Sequence, residues 1–163
     1  MGAVRAPMRY RFLTTWLLET SRDSAWEVLQ DPLSWPEWWR GVVRVSELDG
    51  GDAERVGSRY RIAWRSRIPY ELEFDFTVRA LDEPRSMTGE ATGELEGTGH
   101  WRLFEQDGVT AVTYEWNVRT TKPWMKAIGP VARPVFEHNH DVVMRWGGEG
   151  LARRLGCKLL AIG

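Results

Sequence analysis

Residues 70–81 read YELEFDFTVRAL. Tyr70, Leu72, Phe74, Phe76 and Val78 alternate with Glu71, Glu73, Asp75, Thr77 and Arg79. Successive side chains of a strand point to opposite faces. The stretch therefore predicts a strand with one apolar and one solvated face, as in an antiparallel sheet covered on one side. The same period extends in both directions. Near 57–66, Tyr60, Ile62 and Trp64 oppose Arg59, Arg61 and Arg65. Near 109–120, Val112, Tyr114, Trp116 and Val118 oppose Thr113, Glu115, Asn117 and Arg119. Weaker strand patterns fall near 42–48, 86–93 and 97–105, and Tyr10, Phe12, Thr14, Trp16 and Leu18 share a parity at the start. Turns are marked by residues 49–52, by Ile68-Pro69 and by Asp107-Gly108. Short strands in unbroken succession predict an antiparallel meander. Glycines 89, 93, 97 and 99 would let it bend.

Helical signals flank the meander. Thr20 and Ser21 precede Asp23, which predicts a capped short helix carrying Trp26 and Leu29. Ser34, Pro36 and Glu37 predict a second start, with a helix near 35–39 that carries Trp35, Trp38 and Trp39. After Lys122-Pro123 the period becomes helical. Pro130 and Pro134 are expected to end a short helix and open a long one over roughly 134–156. On that helix Val135, Phe136, Val143, Trp146, Gly147 and Gly150 cluster on one side. Asp141, Arg145, Glu149 and Arg153 make a charged, solvated side. The apolar side needs a partner surface, and the aromatic face of the sheet is the one large enough.

The chain has 163 residues, 42% hydrophobic and 28% charged, which suits one globular domain. A formal net charge of -1 gives no reason to expect nucleic acid as a partner. No stretch approaches the roughly 20 apolar residues of a membrane helix, and no apolar run near the start resembles a signal peptide. One cysteine, Cys157, excludes an internal disulfide, and a cytoplasmic location is expected. Ten tryptophans are unusual for this length. Rings of that size fill cores and line ligand sites alike, so a packed aromatic core and a ligand cavity both remain open.

The order strand, two short helices, strand meander, long terminal helix resembles the helix-grip fold of the START-related (SRPBCC) superfamily. Particular segments resemble its polyketide cyclase/dehydrase-like branch. They are residues 31–39 (DPLSWPEWW), 93–101 (GELEGTGHW), 113–116 (TYEW) and 122–125 (KPWM). The likeness runs from about residue 9 to 156. It implies an α+β domain spanning 1–163, in which a curved antiparallel sheet of six to seven strands wraps the C-terminal helix around a cavity. The inward-facing set then becomes the expected lining: Tyr60, Trp64, Leu72, Phe74, Phe76, Trp101, Tyr114 and Trp116 from the sheet, with Val135, Asn139 and Val143 from the helix.

The expected function is binding or transport of a hydrophobic small molecule of lipid, polyketide, isoprenoid or quinone type, by a monomer or homodimer and without a cofactor. A cyclase or dehydratase is the alternative, with Tyr60, Tyr114 or Asn139 assisting. A protein-partner domain of co-chaperone type is a third. Binding is preferred to catalysis because no positioned acid–base pair emerges from the inward set. Asn139 sits in the apolar stripe, where a buried amide needs a hydrogen-bond partner, either in the sheet or in a ligand. His138 and His140 do not make a metal pair, because a spacing of two places them on different helix faces. Glu71, Glu73 and Asp75 fall on the outer face, where Arg59, Arg61 and Arg65 would pair with them.

Overall fold

The computed structural model describes residues 8–68 and 70–163, without the side chains of 124 and 126–130. Strand β1 (Arg9–Leu18) leads into helix α1 (Arg22–Leu29). Ser21 caps that helix, its hydroxyl accepting from the Ser24 N–H at 3.2 Å. A 3-10 turn (Pro32–Ser34) and the one-turn helix α2 (Trp35–Trp38) follow. Strands β2 (Val42–Asp49), β3 (Arg59–Arg65), β4 (Glu71–Asp82), β5 (Ser86–Gly93), β6 (Leu95–Gln106) and β7 (Val109–Thr120) make the meander. Helix α3 (Pro123–Leu155) and strand β8 (Leu159–Ile162) complete the chain. The sheet order is β2-β3-β4-β5-β6-β7-β1-β8, and all of its pairings are antiparallel.

The strand parities hold along the meander. Tyr60 faces Phe76, Ile62 faces Phe74 and Trp64 faces Leu72 across β3 and β4. Of these residues, Tyr60, Ile62, Trp64, Phe74 and Phe76 are buried. The expected outer charge pairing is partly present. Arg61 bonds Asp75 at 2.9 Å, whereas Glu71 and Glu73 are taken by Arg44 of β2.

Three expectations change. The expected break at Pro130 and Pro134 is absent, and α3 runs through both as one helix of 33 residues. A proline removes one backbone bond and crowds the preceding turn. Turns on both sides are held by burial of Met125 and Ala132, so the helix continues. Ser34 does not cap α2, because it already lies in the 3-10 turn; its hydroxyl instead accepts from Trp38 Nε1 at 3.3 Å. The sheet has eight strands, the added one being β8. Gly156, with φ of 64°, closes α3 in a left-handed cap, and the chain returns along β1 through Glu19 and Thr15.

The two halves of α3 meet the sheet differently. In the C-terminal half, glycines allow near contact. A Cβ at Gly147 would lie 2.5 Å from Trp39 Cε2, and one at Gly150 would lie 1.8 Å from the Trp38 carbonyl oxygen. Trp39 is fully buried and its indole N–H donates to the Val143 carbonyl at 2.8 Å. Its ring lies 5.3–6.1 Å from those of Trp16, Trp35, Trp38, Trp64 and Trp101. Such contacts add to the burial energy of each ring. Tryptophan rings pack this half of the interior. In the N-terminal half α3 carries Phe136, Asn139 and His140 toward the sheet instead of glycine, and the two surfaces stand apart.

Candidate functional site

The gap between the N-terminal half of α3 and the sheet is a cavity of about 390 Å3. That lies in the ~300–1,000 Å3 range of small-molecule pockets. Trp64, Leu72, Phe74 and Trp116 form its sheet wall, and Val135, Asn139 and Val143 its helix wall. These are seven of the residues that the family resemblance implies as lining. The others, Tyr60, Phe76, Trp101 and Tyr114, also point inward and are buried, but they belong to the packed region. Trp101 stacks on Tyr114 at 4.0 Å and lies 5.6 Å from Trp16. A Cβ at Gly89 would lie 2.3 Å from Phe76 Cζ, and one at Gly99 would lie 2.9 Å from the Tyr114 hydroxyl oxygen. Phe76 and Tyr114 thus lie flat on strands that carry no side chain beneath them. Burial alone raises the Tyr114 phenol well above its ordinary pKa.

The wall also contains residues that the sequence reading did not assign to it. Tyr10 and Phe12 come from β1, Val118 and Thr120 from the end of β7, and Ala132, Phe136 and His140 from α3. The parity of β1 and β7 carried the signal for the first four. The mouth is framed by Ile68 after β3 and by Val131 and Val135 of α3, all exposed apolar residues. Beside it Glu94 ties three segments together. Its carboxylate accepts from the Tyr70 hydroxyl at 3.3 Å and the Glu73 N–H at 2.9 Å, and pairs with Lys122 at 3.2 Å.

His140 and His138 diverge as their spacing requires: His138 is exposed and His140 is buried at 8%. The His140 imidazole stacks on Phe12 at 3.8 Å between ring centres, with planes 9° apart. Its Nδ1 is 3.6 Å from the exposed Asp141 carboxylate, and among the described residues neither ring nitrogen has a hydrogen-bond partner. Burial lowers its pKa to about 4 against the weaker pull of Asp141. A pH dependence follows. The unfolded chain takes up the proton near pH 6.5 and the folded chain only near 4, so stability falls as pH drops through that window. We expect a loss of about 2 kcal/mol between pH 7 and pH 5 from this group. Urea unfolding of the wild type and His140→Phe at both pH values checks it. The variant should show the smaller loss by that amount, and equal losses would contradict the burial of a neutral imidazole.

A curved sheet gripping one long helix, with two short helices after the first strand, defines the helix-grip class, and comparison with known proteins agrees. Residues 14–156 match the family described as "Polyketide cyclase / dehydrase and lipid transport", and the chain belongs to that family. No curated protein matched the chain. Among solved structures it is similar to the ZhuI aromatase/cyclase from Streptomyces sp. R1128, at a TM-score of 0.73 and 16% identity over 91% of this chain and 94% of that one. A START superfamily protein from Mycobacterium smegmatis aligns at a TM-score of 0.71 and 11% identity, over 88% and 97% of the two chains. The di-domain ARO/CYC StfQ of the steffimycin biosynthetic pathway aligns at 0.65 and 15% identity over 91% of this chain. The chain spans 52% of StfQ, about half its length. These likenesses concern the fold. Among the described residues, no helix is long and apolar enough to cross a membrane.

Proposed function

We propose that the protein binds a hydrophobic small molecule in the cavity between α3 and the sheet and shelters it from water. The observation that carries this is the division of the interior. One half is packed with tryptophan, while the other holds an apolar space of about 390 Å3 with an apolar mouth. Close-packed interiors leave few voids larger than a water molecule, so a space of this size is a feature to be filled. Burial of ligand surface would supply roughly 25 cal/mol per Å2 before the costs of ordering. The open cavity favours a small molecule over the protein-partner alternative, in which the interior would be filled.

The test is equilibrium dialysis against 2-methylnaphthalene, a neutral apolar probe. Saturable uptake of one molecule per chain is expected. Uptake that rises linearly without saturation would defeat the proposal.

A second reading, a cyclase or dehydratase, is favoured by the family description and by a Tyr hydroxyl and a neutral imidazole in one cavity. In that case the cavity would fold a reactive chain by its shape and exclude water during the reaction.

A further inference from the structure

We propose that Tyr10, Thr120 and His140 form a polar subsite at one end of the cavity, which receives a neutral hydroxyl or carbonyl oxygen of an otherwise apolar ligand. The inference rests on the binding function proposed above and narrows its ligand class. Among the described residues, six have buried side-chain polar atoms without a hydrogen-bond partner: Tyr10, Trp16, Arg22, Trp64, Thr120 and His140. Four of the six, all but Trp16 and Arg22, line this cavity. Leaving a buried polar group unpaired costs about 1–3 kcal/mol, and such groups in native proteins call for an explanation. Their concentration around one cavity points to a shared partner brought by the ligand.

The three residues are placed together by the fold. Tyr10 faces Val118 across β1 and β7, and the Thr120 N–H bonds the Met8 carbonyl at 3.1 Å. Tyr10 and Thr120 are therefore diagonal neighbours on the inner face of that pair. His140 closes the group from the helix side, stacked on Phe12, while Phe136 packs edge-on against the Tyr10 ring at 5.9 Å. All three side chains are more than nine-tenths buried, with exposures of 3%, 2% and 8%. Trp64 of β3 supplies a further unpaired N–H to the same cavity.

The charge pattern sets the class of ligand. Among the described residues that line the cavity there is no Asp, Glu, Lys or Arg. One neighbouring cation, Arg133, lies 4.9 Å over the Tyr10 ring and is already bonded to the Arg9 carbonyl and Glu137. An ionised ligand would bury its charge without a counter-ion, at high cost. A neutral imidazole offers one donor and one acceptor, and each hydroxyl offers both. The set therefore suits an alcohol, phenol or ketone and gives no counter-charge to a carboxylate.

The experiment compares 2-naphthol with its near-isostere 2-methylnaphthalene by equilibrium dialysis, on the wild type and on the double variant Tyr10→Phe/Thr120→Val. The wild type should prefer the naphthol by ~10-fold. The double variant should bind the two within ~2-fold of each other. Uptake of both probes by the wild type without preference, or a preference that survives in the double variant, overturns the subsite and leaves the cavity proposal standing. If the wild type binds neither probe, both proposals fall. Thermal unfolding of the ligand-free double variant gives an independent readout. Its midpoint should equal or exceed that of the wild type, because unpaired buried hydroxyls have been removed. A fall of more than about 5 °C, beyond the ~2–4 °C per kcal/mol of a domain this size, would show that the hydroxyls serve the fold, and would also overturn the subsite.

Discussion

Gly150→Ala is expected to lower the unfolding midpoint by about 10 °C. The added Cβ would lie 1.8 Å from the Trp38 carbonyl oxygen and 2.9 Å from its carbon. The helix backbone fixes the Cβ position and the atom it meets is a backbone carbonyl, so no rotamer change relieves the contact. Helix α3 must lift away from α2, and the lift is transmitted to the Trp39–Val143 bond four residues before the helix contact at Gly147. Overpacking of a tight core costs about 1–3 kcal/mol and more where backbone must move, which at this chain length corresponds to that shift. Gly50→Ala is the control. Its nearest neighbour would be the Glu47 carboxylate oxygen at 3.3 Å, the end of a flexible exposed side chain. Calorimetry of both variants checks the expectation, and equal midpoints would contradict the close approach of α3 to α2.

Ala132→Trp is expected to weaken binding of 2-methylnaphthalene by more than ~100-fold, which corresponds to ~2.7 kcal/mol, while the fold is kept. Ala132 is buried at 5% and lines the cavity from the half of α3 that stands off the sheet. An indole there has space to enter without displacing backbone, and it would occupy the volume that a ligand needs. The variant separates a cavity site from adsorption on the outer apolar residues Leu13, Phe104 and Leu160, which it leaves untouched. Equilibrium dialysis measures the affinity, and retained binding would place the probe elsewhere.

How far the site could be read from the sequence depends on which physical signal carried each residue. A period of two places Trp64, Leu72, Phe74 and Trp116 on the inner face, and they line the cavity. It places Tyr60, Phe76, Trp101 and Tyr114 there equally well, yet these lie in the packed half. Parity specifies the face of a sheet and carries no information about what stands opposite. What divides the interior is the meeting of Gly147 and Gly150 with Trp39 and Trp38, residues more than 100 positions apart. No local pattern records such a pairing.

On α3 the stripe through Val135, Asn139 and Val143 is visible at helical spacing, but His140 next to it carries no apolar signal. A helix lying against a concave sheet has a wider enclosed arc than one on a flat surface, and residue 140 falls inside it. Proline propensity predicts a break in the helix because it acts locally, whereas burial of Met125 and Ala132 holds the turns around Pro130. Strand β8 is four residues long and has no alternation to announce it. It forms because the left-handed cap at Gly156 turns the chain back along the free edge of β1.

The most direct test is to follow the methyl resonances of the isotopically labelled protein by NMR during titration with 2-methylnaphthalene. Leu72, Val118 and Val143 face the cavity, whereas Leu29, Leu103 and Val112 are fully buried outside its wall. Saturable shifts concentrated on the first three are the predicted result. Shifts confined to the outer residues Leu13 and Leu160, or spread evenly over both buried sets, would contradict a ligand held between α3 and the sheet.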